Sequence, residues 1–574
     1  MARISSGLGL ALLLVLLLAG GCGDGAPAPV TTDPGQDGEG ADDVSRPDLE
    51  RMRQTLEAGT SGEQELFRHH DTLADLPLDL KLEEETIEGA PGLHSFAAGI
   101  VRDGEQRGKW LMVGGRINGL HNLVGESFPT TERNDRLWVV DTDAGRVCSA
   151  PLTGLLVDVA DALAATNHQA VQIDDVLWVD GGYGWSTNAQ DNVTFGYLIA
   201  IDLPGVVGAV LDLCSDGRAE DDPSREIPNI AQYFSHGFLT GPEDQDCRRF
   251  GPGTSDGEVC DLSVTGGGIE RVGDELFLAF GQHFGGRYND FLNQKQIYAC
   301  QVVRLPIPTP VWGQTFTPGP VTQVAAGGPD CPPGGLVPNS DPFHRRDLNV
   351  LPTVFRDGGS LAEGLVAYGG VFKHEFFAYD EPIWVTREGA TVASGDHQHM
   401  GQYEAATLGL YSASNDALHH LILGGISSHH CTEGQSGVDT PQCTVSKKIW
   451  SFPGFVEDGT LLTCQGGSRS GADFVCGQWS QANLYQPFKV HNPGLPTGMM
   501  GSNTQFFPDL DVATHSNDVV DLDALTPGEY TRVGTFFGGI EVTGKVPGQP
   551  FLRDQTRSHT SASARAFAVW VRPR

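Results

Sequence analysis

The chain has 574 residues, 39% of them hydrophobic and 75 of them glycine, with a formal charge of −36 at pH 7. That length buries a sizeable core, and so glycine-rich and loop-rich a composition points to an all-β fold. A surface this acidic repels phosphate backbones and anionic headgroups, which excludes nucleic acid and direct electrostatic docking on a membrane.

Residues 1–22 have the form of an export signal. Arg3 gives a positive start, Leu8 to Leu18 form an apolar core too short to span a bilayer stably, and the small residues Ala19, Gly20 and Gly21 precede Cys22. The segment resembles a bacterial lipoprotein signal, and the resemblance makes Cys22 the lipid-modified first residue of the mature protein. It departs from that pattern at Ala19, where such signals place Leu, so ordinary cleavage near Ala26 to Ala28 stays open. Residues 23–72 are acidic, rich in Gly, Pro and Thr and poor in large apolar groups, the composition of a flexible tether, with a short polar helix expected within 45–72. The remainder, 73–574, reads as one repetitive unit. It begins with Leu78–Leu82, whose alternating polarity is that of a half-exposed strand.

From there an apolar strand ending in glycine recurs six times: Trp110–Gly115, Val176–Gly182, Leu276–Gly281, Leu365–Gly370, Leu421–Gly425 and Thr535–Gly539. Each copy follows another apolar stretch across a charged turn, as His94–Val101 and Arg102–Gly104 do in the first and His168–Ile173 with Asp174–Asp175 in the second. Each precedes an aromatic-aliphatic strand, expected at Leu137–Val140, Tyr197–Ile201, Ile297–Val302, Ile383–Val385, Ile449–Phe452 and Ala566–Val571. Some copies add a fourth strand, such as Val147–Ala150. A four-stranded sheet cannot bury both faces alone, so six copies must stack, and radial stacking makes a six-bladed β-propeller. The competing architecture is a β-sandwich of unrelated glycine-ended strands. The last copy ends on its third strand, so residues 78–87 are expected to supply its fourth and close the ring.

The glycine-ended strand, followed by strands that end in an aromatic and Asp as in Trp138–Asp141, resembles the kelch-type β-propellers over roughly residues 80–574. Blade 3 departs from the family pattern, with Phe280, Gly281 and Gln282 in place of paired glycines, and the irregular spacing implies long inserted loops where specificity resides.

In this strand order the loop after the glycine strand and the loop entering the first strand open on one face. The candidate ligand-binding residues there are Arg116, Asn118, His121 and Asn122, then His168, Tyr183 and Trp185, then His283, Arg287 and Tyr288, a mixture suited to stacking on sugar rings and bonding hydroxyls or a carboxylate. Blade 4 adds Lys373, His374 and Glu375. His397 and His399 lie in the loop entering blade 5, and His429 and His430 in the loop leaving its glycine strand. Imidazoles on extended segments can share a transition metal, copper or zinc, so these four are candidate ligands, set against solvated loop histidines.

Apart from Cys22, ten cysteines remain, an even number that fits an oxidising compartment. Disulfides are expected for Cys247 with Cys260, Cys431 with Cys443 and Cys464 with Cys476, then for Cys148 with Cys214 and Cys300 with Cys331. Two functions stand. One is a tethered or secreted monomeric module that binds a glycan or an extracellular protein. The other, implied by the kelch resemblance, is a carbohydrate-active enzyme of sugar-mutarotase or copper-oxidase type, with His374 and Glu375 as catalytic candidates.

Overall fold

The computed structural model describes residues 77–122, 126–215, 226–239, 262–287, 295–328, 341–371, 373, 378–427, 454–456, 459–484, 501–543 and 559–574, with the backbone of 67–68, 429–432 and 442–445. Cys22, Cys247, Cys260, Tyr288, Cys331, His374 and Glu375 lie outside the described residues, as do the side chains of His429, His430, Cys431 and Cys443 and the helix expected within 45–72.

The glycine-ended strands form because each must reverse its backbone twice at its end. The first residue of the pair has φ between 62° and 76° and the second between 79° and 91° in all six copies, a region that costs residues with a Cβ about 1 kcal/mol or more. Blade 3 keeps the conformation without the residue, since Phe280 sits at φ 62°. The reversal turns the second N–H into the neighbouring blade. Gly115 donates to Ala165 O, Gly182 to Val264 O, Gly281 to Arg345 O and Gly539 to Leu93 O, the last joining blade 6 back to blade 1.

Six small antiparallel sheets radiate from an axis, one per copy. Their first strands, nearest the axis, are Ala97–Ile100, Gln169–Ile173, Gly268–Val272, Asn349–Asp357, Ala406–Ser412 and Gln505–Pro508. Burial follows that geometry: six apolar clusters occupy the six gaps between neighbouring blades. Leu111 and Val113 meet Leu177 and Val179 between blades 1 and 2, and Phe507 and Phe537 meet Trp110 and Met112 between blades 6 and 1. Leu78–Glu85 pairs with the last strand over eight positions, from Leu78 opposite Pro573 to Glu85 opposite Ala566, so the N-terminal strand closes blade 6 as expected.

Two third strands differ from their sequence assignment. In blade 3 the strand is Gln301–Pro306. Cys300 turns into positive φ, and Lys295–Tyr298 pairs instead with Gln282–Gly285 in a loop hairpin. In blade 5 the strand is Gly459–Gln465, and Ile449–Phe452 lies outside the described residues. Disulfides join Cys148 to Cys214 and Cys464 to Cys476. Cys300 is also disulfide-bonded, and Cys431 and Cys443 are opposed in the 429–445 hairpin.

One connection is exceptional. Between the first and second strands blade 2 has a two-residue turn, whereas blade 6 has residues 509–530. This segment crosses the far end of the axis. Asp518 pairs with Arg102 of blade 1 at 2.6 Å, Ser516 bonds Glu363 of blade 4 and accepts from Arg271 of blade 3, and Asn517 donates to Thr353 O of blade 4 at 2.9 Å. Val520 then lies parallel to Leu410 in blade 5. The channel therefore has a floor.

Candidate functional site: a polar ring at the propeller axis

Each chain entry into a first strand makes the same bend. Ser95, Asn167, Gly266, Asp347, Glu404 and Asn503, one per blade, all have φ between 50° and 66°. The residue before each bend bridges the residue after the glycine pair, as His94 does with Arg116, Thr166 with Tyr183 and Arg346 with Val371. The bends then join into a ring: Asn167 N donates to Ser95 O at 3.2 Å, Gly266 N to Asn167 O at 3.2 Å, Asp347 N to Gly266 O at 2.6 Å, Asn503 N to Glu404 O at 2.6 Å and Ser95 N to Asn503 O at 3.5 Å. Five of the six ring residues carry polar side chains.

These side chains are tied together. Asn167 donates to Asp347 Oδ1 at 3.0 Å, Asn503 donates to Glu404 Oε2 at 2.9 Å, and the Arg346 guanidinium lies 3.5 Å from Asp347 Oδ2. Burial pushes Glu404 up to about 8, helped by the charge of Asp347 and opposed by the Asn503 and Asn167 amides and Arg346. Burial likewise raises Asp347, and Arg346 opposes it. Asp347 keeps 18% of its side-chain surface. A pair of carboxylates so placed holds a proton near neutral pH.

The mouth is lined from blade 1. Arg116, 4% exposed, donates to Asn118 Oδ1 at 2.9 Å and to Glu132 Oε2 at 3.3 Å and lies over the Phe128 ring at 4.7 Å. His121 donates to Asn122 O at 3.1 Å. Burial first, then the charges of Arg116 and of Arg346 from the opposite blade, bring it down to about 4. Leu120 reaches further, into an apolar collar of Val371, Tyr403, Ile426, Ile540 and Val542 from blades 4, 5 and 6, and its N–H donates to Thr560 Oγ1 at 2.9 Å. A blade 1 loop that touches blades 4, 5 and 6 must cross the axis.

Of the other sequence candidates, Tyr183 joins this region, donating to Gly286 O at 2.7 Å and meeting Phe128 edge-on at 5.1 Å. Further out, Arg287 lies over Trp185 at 5.5 Å and beside Asp191 at 3.3 Å. His168 donates to Ala162 O at 2.8 Å and packs behind Gly182, where an added Cβ would lie 2.7 Å from its ring; its role there is to hold the blade 1–2 junction. His283 is buried and donates to Ser263 O at 3.2 Å. His397 stands 3.0 Å from Asp380, which also pairs with Lys373 at 2.7 Å, and His399 is held through its N–H by Gln481 at 3.0 Å. Among the described residues no three His, Cys, Asp or Glu side chains are grouped to hold a metal ion.

Asn167, Arg346, Asp347, Glu404 and Asn503 were not singled out from sequence. Four of them share a conformation, a left-handed residue just before a first strand, which Ser, Asn, Gly, Asp and Glu all satisfy here, and Arg346 immediately precedes one such bend. Compared with models of known protein families the chain matches none, and no curated protein matches it.

Proposed function

We propose that this protein is an exported kelch-type propeller that binds a glycan, or an extracellular protein, through its loop face, with a lipid on Cys22 holding it to the cell envelope. The observation that carries this reading is the convergence of polar side chains from five blades on one ring, beneath arginines from opposed blades. Amide donors are bonded beside carboxylate acceptors there, an arrangement that suits ligand hydroxyls, and the partly exposed rings of Phe128 and Trp185 can stack on a sugar. The disulfides fit an oxidising compartment.

A second reading, a carbohydrate-active enzyme, draws on the carboxylate pair. With Glu404 up at about 8 and Asp347 beside it, one can give a proton while the other accepts one.

Glycan-array screening of the full chain, followed by calorimetry, tests both. Binding that weakens roughly tenfold in Glu404→Gln and Trp185→Ala supports the loop-face reading, that loss being typical of a central contact. A blank array from folded protein rejects a glycan ligand. Conversion of a bound sugar that stops in Glu404→Gln selects the enzyme. Mass spectrometry of the mature N-terminus decides whether Cys22 carries lipid.

A further inference from the structure

We propose that Asp180 is a carboxylic acid in the folded protein, bonded in a closed ring with the Gln169 amide, and that this pair is a proton-operated latch on the seam between blades 2 and 3. The inference is independent of what the polar ring at the axis binds.

Asp180 is the last residue before the glycine pair of blade 2. The other five blades place Val113, Ala279, Tyr368, Leu423 and Phe537 there, and all six residues are buried. A carboxyl in such a row needs a partner, and Gln169 stands directly opposite it on the first strand. Gln169 Nε2 donates to Asp180 Oδ2 at 2.9 Å. The two remaining oxygens, Asp180 Oδ1 and Gln169 Oε1, are buried, and among the described residues neither has a hydrogen-bond partner. Two unsatisfied acceptors in an interior are costly. One proton on Oδ1 answers both: the acid donates to Gln169 Oε1 while the amide donates to Oδ2, and the pair closes without a cation or a water.

The surroundings keep that proton. Burial alone pushes the carboxyl well above the usual aspartate range. The titratable groups on the elements packed around it are His168 and Tyr197 of blade 2, Glu270 and His283 of blade 3, and Arg346 and Asp347 beyond Gly266, and none of them contributes a charge that offsets the burial.

The pair lies on the seam itself. Gly267 of blade 3 comes so close that an added Cβ would lie 2.7 Å from Gln169 Oε1 and 2.9 Å from both Ala279 O and Phe280 O. Beside it run links that join the two blades: Gly182 N to Val264 O at 3.0 Å, Gly266 N to Asn167 O at 3.2 Å and Thr265 Oγ1 to Asn167 O at 3.1 Å. Release of the proton to solvent leaves a buried charge that faces Gln169 Oε1, with those carbonyls behind it. Water reaches that charge where the blades part, so ionisation and opening of the seam are coupled.

The test uses the full-length protein and Asp180→Asn, whose side chain makes the same two bonds with Gln169 and has no proton to lose. Above the ordinary aspartate value of 3.8 the unfolded carboxyl is ionised while the folded one is not. In denaturation between about pH 5 and pH 8, the unfolding equilibrium constant of the wild type relative to the variant should therefore rise roughly tenfold per pH unit. Their infrared difference at neutral pH should contain a carboxylic-acid carbonyl band. Hydrogen exchange at the Gly182 and Gly266 amides should quicken with pH more steeply in the wild type. A flat ratio or a missing acid band overturns the buried acid. Stabilisation of the wild type, but not of the variant, by sodium, potassium or calcium chloride also overturns it, because a cation would then stand in the proton's place. Equal exchange in the two proteins overturns the latch. Should Asp180→Asn not fold, Gln169→Ala combined with Asp180→Leu, the pairing blade 5 uses in Ala406 opposite Leu423, serves as the proton-free reference.

Discussion

Asn167 and Asp347 are bonded across a missing side chain: the amide of blade 2 reaches Asp347 Oδ1 of blade 4 at 3.0 Å because blade 3, between them, places Gly266 in the ring. A Cβ on Gly266 would run into that same carboxylate oxygen and lie 3.2 Å from Asp347 N, at φ +66°. Gly266→Ala should therefore lower stability by about 1–2 kcal/mol, from left-handed strain plus a displaced carboxylate. Thermal unfolding measures the loss. A neutral effect would mean that the ring is looser than its hydrogen bonds imply.

Phe280 poses the opposite question, because glycine there would relieve strain. Replacing it recovers about 1 kcal/mol of left-handed cost. It also removes a side chain that is 2% exposed and packs edge-on against Phe343 at 5.5 Å, and truncating a buried Phe costs about 3–5 kcal/mol. Burial wins, so Phe280→Gly should destabilise by about 2–4 kcal/mol in chemical denaturation. An increase in stability would show that the conformation, and not the packing, governs this position.

The same contrast explains what could be read from the sequence. Paired positive φ values nearly dictate glycine, so five blades announced themselves and the sixth was recognised by its flanks. A single left-handed bend dictates no one residue, so Asn167, Asp347 and Glu404 carried no shared letter. Their distance from the glycine pair also slides, because the turns between run from Asp174–Asp175 in blade 2 to residues 509–530 in blade 6. Ile449–Phe452 out-scored Gly459–Gln465 on aromatic content, although the ladder with Ala417–Leu423 is made by the plainer segment. The carboxylate pair arises only when blades 4 and 5 close on the axis, which no local pattern encodes.

Ring closure depends on the N-terminal strand. Leu82 is 4% exposed and sits opposite Val569, in the cluster between blades 5 and 6, whereas neighbouring Lys81 is half-buried on the other face. Leu82→Ala should cost about 2–5 kcal/mol and speed unfolding, and Lys81→Ala should change little. Equal, small effects in both would mean that the last blade holds without its closing strand.

The pH dependence of stability separates two opposed sets of groups. His94, His121 and His420 are brought down to between about 3 and 4, chiefly by burial, so the folded chain binds fewer protons than the unfolded one below the ordinary histidine value of 6.5. Through that range they make stability rise with pH. Glu404 and Glu270 are pushed up to about 8, by burial first and then by Asp347 and Asp518 respectively. For them the folded chain binds more protons, so stability is intact below the ordinary glutamate value of 4.5 and is lost as pH climbs through their folded values. Between about 6.5 and 8 only the raised carboxylates still titrate differently in the two states, and the unfolding free energy should fall there. Glu404→Gln keeps the shape without the charge, so it should flatten part of that fall and exceed the wild type in stability at the alkaline end. Glu270→Gln should do the same independently, since the floor and the ring lie at opposite ends of the channel and distant sites add. Denaturation curves across this interval check it: a wild-type profile that is flat or rising there, or a Glu404→Gln variant with the wild-type slope, would show that the axial carboxylates ionise as surface groups do.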